Sequence, residues 1–352
     1  MSAPRAAVVG TGLIGGSIGM ALRAQGWFVT GRDRDHARAE RALALGALDA
    51  IGSDPDAELA VVATPVGAVA AEARALVSPS TIVTDVGSVK GPIVDAVDHP
   101  RFVGGHPMAG SEQEGVEGAD AALFEGATWV LTPTATTDPD TFARLRSVIS
   151  SIGADVVAIP AERHDELVAV VSHVPHLTAA ALMGIAADRA EEHATVLRLA
   201  AGGFRDMTRI AAGHPGIWPD ICAENRAAIV EVLDRLLDRL GSLRAIVASG
   251  DRGGLLEHLE RARAARVSLP TRAARAETLV EVRVPVPDRP GVLAEITTLA
   301  GELGVNIEDL EIAHSAEGDR GVLLLVVDAR SADLIRGAFV ARGYRPSVQR
   351  LG

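Results

Sequence analysis

The chain has 352 residues and a formal net charge of −12; 48 % of its residues are apolar and only 3 % are aromatic. That length exceeds one ordinary hydrophobic core, so two or three domains are expected. A core so poor in rings must be built from Ala, Val, Leu and Ile, which suits helices packed on a parallel sheet. The acidic balance excludes nucleic acid or an anionic membrane as the main partner. It leaves room for an anionic small substrate, which needs only a local patch. The one cysteine, Cys222, excludes an intramolecular disulfide and a cysteine-rich metal site, and fits a reducing, cytoplasmic setting. The histidines are scattered without metal-ligand spacing, so no metal is expected. Lys90 is the only lysine among 34 Lys and Arg residues, a hint of a specific requirement.

An apolar run over 6–22 follows Arg5, but Gly10, Gly12, Gly15, Gly16 and Gly19 interrupt it, unlike a signal peptide. No apolar stretch reaches membrane-spanning length without glycine breaks. Residues 6–9 read instead as a short buried strand. Gly10-Thr11-Gly12-Leu13-Ile14-Gly15 follows, then a helix to about Gln25, a second strand over 27–30 and Asp33. This is the dinucleotide fingerprint in its context. Gly10 permits the tight turn, Gly12 lets the backbone approach a pyrophosphate at the helix start, and Gly15 allows close packing. Asp33 is placed to accept from a ribose hydroxyl and favours NAD over NADP, although Arg32 and Arg34 beside it weaken that preference.

Further β/α units follow: a strand over 59–64, a helix over 68–76 and a strand over 81–86, with more strands over 101–103, 128–132 and 155–159. In open α/β sheets, ligands bind beyond the carboxyl ends of the strands. Thr64 and Ser88 sit at two such ends; Ser88 is also able to cap a helix. The stretch 104–111, Gly-Gly-His-Pro-Met-Ala-Gly-Ser, reads as a loop on its glycine and proline content. His106 is its one side chain that can exchange a proton near neutral pH.

From 162 to about 259 the period is helical. Ile229, Val232, Leu233, Leu236, Leu237, Leu240 and Leu243 recur at three and four, as a core stripe or a subunit seam. His173 and His176 lie three apart with Pro175 between them bending the helix. Arg205 and Arg209 lie four apart and form a fork for carboxylates. Asp206 is a ready salt-bridge partner, Trp218 reads as packing and His164 as structural. The stretch 261–276 carries five arginines and no acid and reads as a solvated linker. Residues 278–352 have the strand and helix order βαββαβ of a ferredoxin-like unit.

These segments together resemble the prephenate/arogenate dehydrogenases of tyrosine biosynthesis along almost the whole chain. The matching motifs are GTGLIGG at 10–16, DVGSVK at 85–90, GGHPMAGS at 104–111, VSHVPH at 171–176 and GGFRDMTR at 202–209. The terminal unit resembles an ACT domain through DRPGVL at 288–293 and GVNI at 304–307. The resemblance implies an α/β chain of a Rossmann-like NAD-binding domain (1–160), an all-helical dimerisation and substrate domain (161–260), the linker (261–277) and an ACT domain (278–352). It implies NAD-dependent oxidative decarboxylation of prephenate, or of arogenate, in a cytoplasmic homodimer without nucleic-acid or membrane partners. His106 matches the family's catalytic histidine, Ser88 the serine beside it and Arg209 the arginine that binds a substrate carboxylate. Ser111, His173 and His176 match active-site positions, and Arg205 falls where members often carry Lys. Gly10, Gly12, Leu13, Ile14, Gly15, Asp33, Thr64 and Ser88 would hold the cofactor. Arg289, Gly291, Val292 and Asn306 match the positions where ACT domains take an amino-acid effector, here L-tyrosine or another aromatic amino acid. A β-hydroxyacid or imine dehydrogenase would need a lysine on the helical domain, where this chain has none. A non-catalytic NAD-binding amino-acid sensor would not need the His106, Ser88 and Arg209 set.

Overall fold

The computed structural model describes residues 3–110, 113, 115–192, 195–268, 279–287, 289–314 and 320–350. The chain forms two compact units, 1–251 and 252–352.

The first unit starts with alternating strands and helices: β1 (Arg5–Val9), α1 (Leu13–Ala24), β2 (Phe28–Arg32), α2 (His36–Ala44), β3 (Ala50–Ile51), β4 (Leu59–Val62), α3 (Val66–Leu76), β5 (Ile82–Asp85), α4 (Gly91–Ala96) and β6 (Phe102–Pro107). β7 (Thr128–Thr132), α5 (Pro139–Ser151) and β8 (Asp155–Ala158) complete an eight-stranded sheet. Its order is β3-β2-β1-β4-β5-β6-β7-β8. The first six strands have the doubly wound order, reversing between β1 and β4. β4 and β5 are buried along their whole length, as continuous apolar strands covered on both faces must be. Two apolar clusters cover the faces, one around Val8, Leu22 and Trp129 and the other around Val62, Val83 and Phe102.

The stretch after Val103 corrects the loop reading. Gly104-Gly105-His106-Pro107 is strand, paired antiparallel with β7 while every other ladder in the sheet is parallel. The glycines serve close approach rather than a turn. A Cβ on Gly104 would lie 2.5 Å from Thr132 Oγ1, and one on Gly105 2.6 Å from the Asp85 carbonyl oxygen. Among the described residues the chain leaves the strand only at Met108.

The helical part holds α6 (Ala161–Val168), α7 (Val174–Glu192), α8 (Thr195–Arg198), α9 (Gly202–Thr208), α10 (Trp218–Glu224) and α11 (Arg226–Ser249). A π-helical turn, Ala169–His173, joins α6 to α7. Pro175 donates no N–H, and its ring would press on the carbonyl four residues back; the widened turn relieves both. The expected bend at Pro175 is thus a π turn. Through it, Ala161–Ala190 runs as one helical stretch long and apolar enough, by composition, to cross a membrane, contrary to the glycine-break argument. It nonetheless carries His164, Asp165, His173 and His176, which serve the site described below. The stripe on α11 divides. Ile229 is buried, Val232, Leu233 and Leu236 pack against a small core, and Leu237 and Leu240 are 64 % and 49 % exposed.

The second unit begins with α12 (Arg252–Val267), so the arginine-rich stretch up to Val267 is helix and not linker. Arginine and alanine are both good helix formers, which the charge argument overlooked. Residues 269–278 lie outside the described residues. β9 (Leu279–Pro287), α13 (Val292–Glu302), β10 (Asp309–His314), β11 (Arg320–Asp328), α14 (Ala332–Ala341) and β12 (Ser347–Arg350) give the expected βαββαβ order. The sheet order β10-β11-β9-β12 is antiparallel throughout. Val280, Val282, Val284 and Val286 point into its core, as their alternation requires.

Candidate active site

The glycine loop between β1 and α1 has the geometry its sequence predicts. Gly10 takes φ +92°, and a Cβ there would meet the Ala63 carbonyl at 2.4 Å. A Cβ on Gly15 would strike the Gly10 carbonyl at 1.9 Å. At Gly12, by contrast, no atom lies within 4 Å of the Cβ position, so the loop presents open backbone at the start of α1. Asp33 closes the loop from the end of β2. Its Oδ2 accepts from Thr11 N at 2.8 Å, and its Oδ1 from Asp35 N at 2.9 Å. Arg32 is committed to Glu72. Thr64, just past β4, has a buried hydroxyl without a hydrogen-bond partner. The donor set, the open backbone and this orphan hydroxyl fit a dinucleotide.

A chain of buried polar groups runs from β5 to the helical part. Asp85 ends β5 fully buried, paired with Lys90 Nζ and accepting from Gly87 N at 2.8 Å and Gly105 N at 3.1 Å. This accounts for the single lysine. A buried charge needs a partner and filled hydrogen-bond positions. Burial pulls the Lys90 ammonium below the ordinary lysine range, against the upward pull of Asp85. Asp165 on α6 accepts from Lys90 N and Gly91 N, both at 2.8 Å. His164 Nδ1 lies 2.7 Å from Asp165 Oδ1, and His164 Nε2 lies 2.8 Å from His106 Nδ1. Burial holds His106 well below the ordinary histidine value, with His164, Lys90 and His173 pushing the same way. It is therefore neutral at physiological pH.

His173 sits at the end of the π turn, 1 % exposed. Burial lowers it to about 4, with Asp165 pulling upward and His164 downward. The Asn225 amide, at the start of α11, donates to the Asp165 carbonyl at 2.9 Å and lies 3.2 Å from His173 Nδ1. His173 Nε2 is buried with no partner. One turn on, His176 stacks on Trp218, with ring centroids 3.7 Å apart and planes 14° apart. Burial lowers the His176 pKa as well. Both rings border an open cleft of about 830 Å³ that Gly110, Gln113, His176, Arg209 and Trp218 help to line. Gly110 and Gln113 continue the chain from β6, so the cleft lies between that strand's exit and the helical part.

Of the residues named from the sequence, Arg209 and His176 line the cleft, and His106 lies on the strand that leads to it and not in the expected loop. Sequence reasoning missed what holds His106: His164, read as structural, is its direct neighbour. The adjacent His164-Asp165 pair, two ionisable side chains behind an apolar strand, was the available signal. Trp218 lines the cleft as well as packing. Ser88 is half-buried in the turn after β5, and it does not cap α4, whose N-cap is Lys90. Leu13 and Ile14 open α1 half-buried. Arg205 is exposed, gives its Nε to the Ala200 carbonyl at 3.1 Å and is not among the cleft-lining residues. Ser111 lies outside the described residues. In the second unit, Gly291 takes φ +87° before α13, and Val292 packs against the core. Arg289 is paired with Glu295, and Asn306 donates to Glu308 at 2.7 Å.

A doubly wound sheet with this loop, backed by a helical layer bearing histidines and an arginine, defines a dinucleotide-dependent oxidoreductase. Residues 18–158 match the family described as prephenate dehydrogenase, nucleotide-binding domain, residues 160–261 its dimerization domain, and residues 280–341 the ACT domain. The chain belongs to the prephenate dehydrogenase family. It is 34 % identical to the prephenate dehydrogenase of Bacillus subtilis over 333 residues, 90 % of each chain. It is 35 % identical to the cyclohexadienyl dehydrogenase of Zymomonas mobilis over 280 residues, 75 % of this chain and 96 % of that one. Among solved structures, the prephenate dehydrogenase of A. aeolicus in complex with hydroxyphenyl propionate and NAD+ superposes with a TM-score of 0.72 at 30 % identity, covering 77 % of this chain and 99 % of that one. The arogenate dehydrogenase of Synechocystis gives 0.64 at 32 % identity, covering 74 % and 98 %.

Proposed function

We propose that this chain is an NAD-dependent prephenate dehydrogenase that converts prephenate to 4-hydroxyphenylpyruvate and CO₂. The observation that carries the reading is His106, a neutral imidazole near the end of β6, the strand whose exit leads into a cleft that contains Arg209. Gly10, Gly12 and Gly15 with Asp33 and Thr64 would hold NAD, and NAD supplies the hydride acceptor. Asp33 favours an unphosphorylated ribose, and the commitment of Arg32 to Glu72 removes one of the two arginines that could take a 2′-phosphate. His106 takes the proton of the ring hydroxyl as the carbon bearing it loses hydride. The ring carboxylate leaves as CO₂, its bonding electrons make the ring aromatic, which drives the reaction, and the ring oxygen takes a proton back to give the phenol. The protein's share is orientation and proton transfer. Arg209 binds a substrate carboxylate, His176 on its Trp218 platform lines the same cleft, and the unpartnered His173 Nε2 is a further donor for an anionic group. Ser88, in the turn after β5, would orient the hydroxyl, and Ser111 would contribute to substrate binding.

Arogenate is the second reading, because the relatives include an arogenate dehydrogenase and a cyclohexadienyl dehydrogenase. The two substrates differ only in a pyruvyl against an alanyl side chain. NADH absorbance with each substrate decides. Faster turnover of prephenate at equal concentration is the expected result, faster turnover of arogenate would reverse the assignment, and no NADH with either would leave the amino-acid sensor. We further infer a cytoplasmic homodimer. A groove of about 540 Å³ lined by Val170, Val174, Leu182, Met207, Val232 and Leu236 supports a subunit seam on the helical part. The ACT domain would bind L-tyrosine near Arg289, Gly291, Val292 and Asn306 as feedback. Titrating the full-length chain with tyrosine, phenylalanine and tryptophan should give heat with tyrosine; none with any of the three would leave a dimerisation module.

A further inference from the structure

Two of the buried titratable groups that the proposed chemistry does not use are His164 and Asp165. His164 is fully buried and Asp165 is 8 % exposed. Both oxygens of the Asp165 carboxylate accept a main-chain N–H, from Lys90 and Gly91. The carboxylate offers no hydrogen, so the 2.7 Å contact is a bond from His164 Nδ1–H to Asp165 Oδ1. At neutral pH an imidazole carries one N–H, so His164 Nε2 is left as an acceptor. The atom 2.8 Å from it is His106 Nδ1, which must then be the donor. The single proton of His106 is therefore on Nδ1, and its Nε2 carries a lone pair.

We propose that His164 and Asp165 are positioning residues that fix the His106 tautomer, so that Nε2 and not Nδ1 is the basic nitrogen. The inference rests on the reading of His106 as the proton acceptor. The direction of the chain is set from its far end, because Asp165 is tied to the turn before α4 and its own carbonyl accepts from Asn225. The proton step balances within this frame. The substrate O–H bond breaks, an N–H bond forms at His106 Nε2, and Nδ1–H stays on His164. The imidazolium that results keeps every bond the neutral ring had. Asp165 is the carboxylate that faces its charge through His164, since Asp85 is committed to Lys90.

The test uses the full-length enzyme with NAD and prephenate. His164→Phe keeps the ring's bulk and deletes the acceptor. It should lower kcat about 10²-fold, with KM for prephenate changed by less than about threefold. His164→Gln, whose Oε1 can accept from His106 Nδ1–H, should recover at least about tenfold of that loss. A purely structural role would move KM and stability in both variants without this recovery. Nitrogen NMR of the histidine-labelled wild-type protein reads the tautomer without turnover; the His106 signal, assigned by its loss in His106→Asn, should show a proton on Nδ1 and none on Nε2. A proton on Nε2, wild-type kcat in His164→Phe, or a Gln variant no better than Phe would overturn the proposal. Wild-type kcat in His106→Asn would overturn the base reading instead, and the NMR assignment would still stand or fall by itself.

Discussion

Gly105→Ala tests how tightly the strand end is built. The added Cβ would stand 2.6 Å from the Asp85 carbonyl oxygen, 2.8 Å from Thr84 Oγ1 and 3.1 Å from Trp129 Nε1. Ordinary contact begins near 3.4 Å, so the closest of these must open by about 0.8 Å. Neither side can yield cheaply. Asp85 ends a strand buried along its whole length and is pinned by Lys90, while Gly105 is held by its own bond to Asp85 and by the ladder to β7. The displacement falls on the residue next to His106. Overpacking of this kind costs about 1–3 kcal/mol, which lowers Tm by about 2–12 °C for a unit of this size. A base displaced by about 1 Å loses up to about 10²-fold in rate. Thermal melting followed by circular dichroism and initial rates of NADH formation read both effects. Unchanged Tm together with kcat within twofold of wild type would refute the packing argument.

Other substitutions separate the remaining roles. Gly12→Ala meets no protein atom within 4 Å, so Tm should stay put while KM for NAD rises at least about tenfold; a lowered Tm would mean the loop is packed, not open. Arg209→Ala removes a charged partner for a substrate carboxylate and should raise KM for prephenate about 10- to 100-fold, and an unchanged KM would return Arg209 to a structural role. His173 stays neutral in the native state down to about pH 4, whereas in the unfolded chain it takes a proton below about pH 6.5. The native state therefore loses stability as pH falls through that window, by at most about 3 kcal/mol from this residue. Urea midpoints measured from pH 7 to pH 4.5 should show the loss, and His173→Gln should flatten it. The lowered pKa of His106 likewise places the acid limb of kcat below pH 6.5, so a limb centred above neutrality would contradict its burial.

What the sequence determined by itself is local. A glycine that needs positive φ, as at Gly10, or an apolar run with period two, as in β9, follows from backbone sterics and alternation within a few residues. The nucleotide loop and the βαββαβ order were legible on those grounds, whereas the cleft residues His176 and Arg209 were singled out through the family resemblance. The glycines at 104 and 105 were not legible, because their reason lies across the sheet on Thr132 and Asp85, and composition alone read them as a loop. The helix through Val267 was missed because a charge run suggests solvent while its helix-forming residues decide backbone conformation. Only the tertiary structure brought Lys90 to Asp85 and Asp165, and His164 to His106. Those contacts join residues 5 to 75 positions apart. Burial, which no single stretch encodes, is what turns them from surface polar groups into a chain with a fixed direction.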